Sequence, residues 1–354
     1  SFIRTLAVRR PPQNDLWPSQ LAAAHRATDP SDDLVVSLPT SSGKTRIAEL
    51  CILRGLADGK RIVYITPLRA LSAQVERTLG STFVPLGATV TSLYGATGVT
   101  EADANSLAEA SIVVATPEKL DFALRQDPNV INDVALVVFD EGHMIGLGSR
   151  EIRYEVLIQR LLRRGDASGR RIVCLSAMFN TNDDAFKEFL RWLRDDEPGE
   201  PIQVNWRPTR QHVAVLDWRE QTKTGRLALL DGERPFVPRF IEAKAPKGRR
   251  RLAFPKDDME LCVATANAFA AEGHNVLVYS PQRNQVEPLV RAFCTAARQG
   301  YLPGCNAPPE SDLAVADALG REWLGKDHPV TNGLRAGVGT HHGALPRPLV
   351  TIVE

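Results

Sequence analysis

The sequence predicts an α/β protein with two parallel-sheet units, the second incomplete. Three observations carry this reading. Short β-branched apolar runs alternate with longer segments of helical period. Most of those runs are continuous rather than alternating, the pattern of strands covered on both faces of a parallel sheet. The alternation pauses near residue 200 and resumes near Asp258.

In chain order, strands are expected at Leu34–Leu38, Arg61–Ile65, Val90–Leu93, Ile112–Ala115, Ala135–Phe139 and Ile172–Leu175. Helices are expected at Thr45–Ala57, Leu68–Leu79, Pro117–Arg125, Glu151–Arg163 and Asn182–Leu193. Asp195–Pro201 is polar and helix-breaking, which reads as a linker. The stretch Lys244–Lys256 carries Lys247, Arg249, Arg250 and Arg251, no acid, and Pro246 and Gly248, which reads as a loop or insertion. A helix at Glu260–Ala271 and a strand at Asn275–Tyr279 follow. The expected organisation is a first unit at 1–200, a linker and basic insertion at 201–257, and part of a second unit at 258–354.

Composition narrows the class. At 354 residues the chain suits two domains at about 150 residues each. With 43% apolar and 24% charged residues it is not a disordered chain. The formal net charge of +1 gives no global field for polyanions, so any such binding rests on local patches. No apolar run approaches the roughly 20 residues that span a bilayer, and Ser1-Phe2-Ile3-Arg4 does not open a signal peptide. Five cysteines, odd in number and never spaced C-x-x-C, point to reduced thiols in a cytoplasm.

The chemistry sits at strand ends. The run Leu34–Leu38 leads into Pro39-Thr40-Ser41-Ser42-Gly43-Lys44-Thr45, and a helix follows. A tight loop at a helix start points backbone N–H groups and the positive dipole end at phosphate oxygens. Gly43 permits close approach, Lys44 neutralises the β- and γ-phosphates, and the Thr45 hydroxyl is a Mg²⁺ ligand. Leu38 stands where the general pattern has glycine, and a bare G-K-T triplet also occurs as a helix cap. The second motif, Asp140-Glu141-Gly142-His143, follows the run Val134–Phe139. Acids there lie where open α/β sheets bind ligands. Asp140 suits Mg²⁺, and Glu141 suits polarising a water. Two motifs in this order, each after a buried run, point to a Mg²⁺-dependent ATPase.

The ordered set resembles the superfamily 2 DEAD/DEAH-box helicases. That family's loop often reads P-T-x-S-G-K-T, as Pro39–Thr45 does, and Asp140–His143 is similar to its D-E-x-H box. Thr66–Leu71, Thr116–Lys119 and Ser176-Ala177-Met178 resemble further motifs of the family, and Leu16–Gln20 resembles its adenine-reading segment. Asn205–Pro208 and Gly339–Leu345, with Arg347 and Val353-Glu354, resemble the superkiller (Ski)-like branch.

The resemblance implies two RecA-like (P-loop NTPase) domains, with ATP and Mg²⁺ bound between them. It makes Lys44, Asp140, Glu141 and His143 catalytic, and Gln20 with Pro39, Thr40, Ser41, Ser42, Gly43, Lys44 and Thr45 the ATP-binding set. Thr45 and Asp140 become the metal ligands. It also implies strand contacts at Pro67, Arg69, Gly95, Thr116 and Lys119 in the first unit, and at Ser280, Arg283 and His342 in the second. Met178 replaces the family's threonine, and the family's motifs V and VI are expected beyond Glu354.

Three readings follow: a helicase or translocase on single-stranded or tailed DNA, or on RNA; a double-strand translocase serving a nuclease; and a motor-defective scaffold. The chain also resembles bacterial anti-phage defence helicases, including the Hachiman type. That likeness implies a nuclease or effector subunit as partner.

Overall fold

The computed structural model describes residues 2–9, 12–13, 15–93, 107–142, 144, 148–177, 184–231, 235–246, 253–302, 310–346 and 348–350. The chain divides into two compact units, Ser1–Arg210 and Gln211–Glu354.

Among the described residues the first unit is built on seven strands: β1 (Leu34–Ser37), β2 (Arg61–Ile65), β3 (Val90–Leu93), β4 (Ile112–Ala115), β5 (Val134–Phe139), β6 (Arg171–Ser176) and β7 (Ile202–Gln203). Their order across the sheet is β3-β4-β2-β5-β6-β1-β7, and every pairing is parallel. The continuous apolar runs have the expected cause, because alternate residues of each strand enter two different cores. Val63, Ile65, Val137, Phe139, Ile172 and Cys174 pack on one face. Ile62, Tyr64, Leu136, Val138, Val173 and Leu175 pack on the other.

Helices α1 (Phe2–Ala7), α2 (Pro18–Ala27), α3 (Lys44–Ala57) and α4 (Arg69–Phe83) belong to this unit, as do helices Pro117–Gln126, Ser149–Leu162 and Asp184–Leu193. The expected linker after residue 194 does not end the unit. The chain turns through Asp195 and Asp196, both at positive φ (52° and 65°), and adds β7 to the sheet beside β1.

The second unit departs from expectation in two places. Residues 214–242, read as linker, form a three-stranded antiparallel sheet: β8 (Ala214–Arg219), β9 (Thr224–Leu229) and β10 (Phe236–Glu242), in the order β10-β9-β8. One face of it, with Leu216, Trp218, Phe240 and Ile241, packs on a core containing Phe254, Val263 and Tyr301. Helices Asp258–Ala271 and Arg283–Arg298 complete this layer, and Glu310–Trp323 pairs with Pro329–Arg335 around Leu334 and Ala316.

The strand expected at Asn275–Tyr279 is an unpaired segment, with Leu277 93% and Tyr279 82% exposed. A run of strand-like residues becomes a strand only when neighbours supply partners for its N–H and C=O groups. Among the described residues no strand pairs with it. The basic segment Lys244–Lys256 lies partly outside the described residues, and its ends meet in an isolated bridge between Lys244 and Phe254.

Candidate nucleotide site and strand-contact residues

Three neighbouring strands deliver the expected nucleotide motifs to one edge of the sheet. β6 lies between β5 and β1, with Ser37 opposite Ser176 and Phe139 opposite Cys174. All run the same way, so the phosphate loop, the acids and Ser176-Ala177 leave the same edge.

The loop begins with one further ladder bond, from Leu38 N to Ser176 O (3.0 Å). It then turns tightly. Ser42 donates to Pro39 O through its backbone N (3.2 Å) and its Oγ (2.5 Å). Ser41 and Gly43 hold φ of 65° and 91°, and α3 starts at once with Lys44. Alternating left-handed residues turn successive N–H groups toward one concavity, an anion-binding arrangement.

Helix α2 braces the loop from outside. Ser19 Oγ donates to Ser42 O (2.7 Å), and Gln20 Nε2 donates to Gly43 O (3.4 Å). Gln20 Oε1 accepts from Trp17 N (2.9 Å). A Cβ added at Gly43 would fall onto the Gln20 amide, so both the close approach and the positive φ require glycine here. Trp17 packs against Trp206 (ring centroids 5.5 Å apart), which brings the Asn205–Pro208 motif to the same segment.

The acids are held as firmly. Asp140 N donates to Ile65 O (2.8 Å), Tyr154 Oη donates to Asp140 O (2.9 Å), and Gly142 N donates to Leu175 O (2.8 Å). The Asp140 carboxylate accepts from Tyr64 Oη (2.9 Å) and from Glu141 N (3.0 Å). Glu141 sits at φ 53°, a conformation that a non-glycine residue keeps only when its surroundings impose it.

Electrostatics ties the two motifs together. Burial pushes Asp140 up to about 6, and the Glu141 charge adds to this, while the Tyr64 hydroxyl and Lys44 oppose it. Lys44 is lowered by burial, against the opposing fields of Glu141 and Asp140. Its Nζ donates to Leu38 O (3.4 Å). The phosphate-loop cation and both acids thus lie within one another's fields. His143 and Met178 lie outside the described residues.

The first unit's strand-contact candidates leave the same edge on its other half, from β2 and β4. Pro67 is buried, Arg69 opens α4, and Gly95 lies outside the described residues. Thr116 caps its helix with its carbonyl, accepting from Lys119 N (3.1 Å) and Leu120 N (3.0 Å); the Thr116 and Lys119 side chains are both buried. In the second unit, Ser280, Arg283 and His342 gather at the start of helix Arg283–Arg298. Ser280 Oγ donates to Gln282 O (3.0 Å), and His342 Nε2 stands 3.8 Å from Glu287 Oε1. Burial, first, and the Arg283 charge, next, hold the His342 imidazole below its usual range, with the charges of His328 and His341 adding to this and Glu287 opposing it.

Residues 17–185 match the family model described as DEAD/DEAH box helicase. These residues are a DEAD/DEAH box helicase domain. The whole chain is 29% identical, over 365 aligned residues, to the Hachiman protein HamB of Bacillus cereus, of which it covers 32%. It is 31% identical over 343 residues to the ATP-dependent DNA helicase Hel308 of Methanocella arvoryzae, using 96% of this chain and 41% of that protein. Hel308 of Pyrococcus abyssi is 34% identical over 203 residues, 57% of this chain and 26% of that protein. The chain thus spans about a third of HamB's length and two fifths of the Methanocella protein's.

The helicase domain suits a magnesium-bound triphosphate. Gly43 leaves the loop open to phosphate, Lys44 supplies the cation, and Thr45 and Asp140 offer oxygen ligands. Among the described residues no three His, Cys, Asp or Glu side chains converge on a metal. Mg²⁺ needs no such cage, since one or two protein oxygens with phosphates and waters complete its shell. Sequence reasoning missed Ser19, Tyr64, Tyr154 and Cys174. Tyr64 left one signal, a hydroxyl inside an otherwise apolar buried strand.

Proposed function

We propose that this chain is the motor part of an ATP-dependent nucleic-acid helicase or translocase. The observation that carries the reading is the delivery of the Lys44 loop and the Asp140-Glu141 turn to one edge of the sheet by the neighbouring strands β1, β6 and β5. Loop and turn are both bonded to the end of β6 (Leu38 N to Ser176 O, 3.0 Å, and Gly142 N to Leu175 O, 2.8 Å). In this reading the N–H groups around Ser42–Thr45 bind the phosphates, and Lys44 offsets their charge. Thr45 Oγ1 and Asp140 hold Mg²⁺, which screens the phosphates against one another when bound. Glu141 takes the proton of the attacking water, and His143 completes the catalytic set. Gln20 meets the base through the N–H and lone pair its amide has left.

In this reading each unit offers its own contacts to a strand's backbone without reading sequence: Arg69 and Gly95 in the first, on loops shaped by the buried Pro67, Thr116 and Lys119, and Ser280, Arg283 and His342 in the second. Similarity to the DNA helicase Hel308 favours single-stranded or tailed DNA as the track, with RNA the alternative. Similarity along the whole chain to the Hachiman protein HamB supports a role in antiviral defence beside a nuclease or effector subunit. The free thiols among the described residues accord with the cytoplasm, and no helix among those residues is long and apolar enough to cross a membrane.

The decisive experiment compares Lys44→Ala and Glu141→Gln. The first loses ATP binding; the second binds ATP without turning it over. Normal turnover in the Glu141→Gln protein removes the assigned base. ATPase rates with and without single-stranded DNA or RNA, and strand displacement on forked and blunt duplexes, separate an unwinding motor from a double-strand translocase. Recovery of a second subunit with the full-length protein tests the defence assignment.

A further inference from the structure

The antiparallel sheet of the second unit buries one face and leaves the other to solvent, and that outer face is concave. A cavity of about 630 Å³ opens on it, lined by Arg219, Lys223, Arg226, Arg239, Phe236 and Glu242 among others. The volume falls in the range of nucleotide-sized ligand sites. Cross-strand register explains the convergence. Arg226 stands opposite Asp217 on β8, Arg219 opposite Thr224 on β9, and Phe236 opposite Ala228, all on the face away from Trp218 and Ile241. The β9–β10 register shifts between Val237 and Ile241, and Arg239 within that bulge holds φ 52°; bulges re-aim side chains in this way.

The cations there are incompletely used. Asp217 Oδ2 lies 3.7 Å from Arg226 and 4.0 Å from Arg219, and Glu242 Oε1 lies 3.9 Å from Arg239, each beyond hydrogen-bond reach. Arg226 Nε is buried without a partner. Lys223 pairs with Glu220. The Arg226 guanidinium lies 5.2 Å from the centre of the Phe236 ring, and Phe236 is 54% exposed. Guanidinium forks match phosphate oxygens bidentately, and an exposed aromatic among cations is a platform for a base of any sequence. An acidic peptide would use the same cations but would leave the ring without a planar partner.

We infer that this cavity is a second strand-binding site, taking a single-stranded nucleic-acid segment with its phosphodiesters on Arg219, Arg226 and Arg239 and a base on Phe236. The inference rests on the reading of the chain as a nucleic-acid motor.

The test measures binding of a fluorescein-labelled single-stranded oligonucleotide to the full chain across a salt series, beside binding of an ATP analogue. In the triple variant Arg219→Ala, Arg226→Ala, Arg239→Ala, the slope of log affinity against log salt should fall by about 2, at roughly 0.7 per phosphate contact on a single strand. The corresponding triple Lys variant should keep the slope, which separates lost charge from lost folding. Phe236→Ala should weaken binding about tenfold with the slope unchanged, within the range seen for one stacked base. An unchanged slope and affinity in the triple Ala variant overturns the inference. So does loss of polyglutamate binding with oligonucleotide binding intact, which would assign the cavity to an acidic peptide. A wild-type chain that binds the ATP analogue but no oligonucleotide overturns it and leaves the ATP site standing. A chain that binds neither overturns the motor reading, and this inference with it.

Discussion

The sulfur of Cys174 stands where a Cβ on residue 142 would have to go. Cys174 is wholly buried in β6, and Gly142 follows the two acids on a turn pinned to Leu175 O (2.8 Å). The turn therefore cannot step aside without giving up that bond. Gly142→Ala should lower ATPase activity by about tenfold or more, because overpacking of this kind costs about 1–3 kcal/mol and here displaces Glu141. With Cys174→Ala added, the nearest atoms to the new methyl are Leu175 O at 3.6 Å and the residue 174 Cβ at 3.8 Å, ordinary contacts. The double variant should recover most of the activity. Steady-state ATPase on the two proteins checks this, and equal impairment of both would refute the steric account.

Tyr64 presents a second test. Its hydroxyl donates to Asp140 Oδ2 from a fully buried position. Tyr64→Phe keeps the ring and removes the donor. A hydrogen bond to a charged group contributes about 1.5–3 kcal/mol, so the Mg²⁺ concentration for half-maximal ATPase should rise about tenfold. The maximal rate should change less. A magnesium titration with an unaltered midpoint would leave Tyr64 a packing role only.

Glu49 in α3 holds the segment before α2. Its buried carboxylate meets Arg46, Arg9 Nη2 (3.1 Å) and Thr82 Oγ1 (2.7 Å). Phe2 stacks on Phe83 (6.1 Å), beneath the Arg46 guanidinium. Glu49→Ala leaves two guanidinium groups without their shared anion, one of them buried. Removing one partner of a buried pair costs about 3–5 kcal/mol. Urea unfolding should show a loss of that order, and a change under about 1 kcal/mol would mean that the arginines find water or other acceptors.

A pH dependence comes from Asp166. Its carboxylate accepts from Arg164 Nε (2.8 Å) and Arg170 Nη2 (2.8 Å), and these bonds hold it well below the usual carboxylate range. The folded value lies below the unfolded one. Its stabilisation is thus complete above about pH 4 and fades as pH falls further. Partial exposure limits its size to about 1 kcal/mol. Asp166→Asn should cost the same at pH 7 and pH 5, and less at pH 3. A pH-independent cost would assign the effect to something other than charge.

How much of this was legible before the structure depends on what each segment's environment decides. The β1, β2, β4, β5 and β6 runs announce themselves because both faces are buried, so apolar residues are continuous. Their motifs are legible because the chemistry sits at strand ends. β8–β10 read as linker because their outer face is charged: Asp217, Arg219 and Arg226 interrupt the apolar run, and Pro238 lies within β10. Asn275–Tyr279 misled in the opposite sense, since its residues favour a strand but pairing belongs to neighbours. The contacts Tyr64–Asp140 and Gly142–Cys174 join separate strands, and no local pattern carries them.

The strand order has one more consequence. The phosphate-loop and acid motifs occupy the β5-β6-β1 half of the edge, and the first unit's proposed strand contacts leave the β2-β4 half. The seam between the halves is crossed at the edge by the bond from Asp140 N to Ile65 O (2.8 Å), one residue before Thr66-Pro67. Any tilt of the acid turn is therefore delivered directly to the backbone that leads into Thr66-Pro67, with no intervening side chain to absorb it.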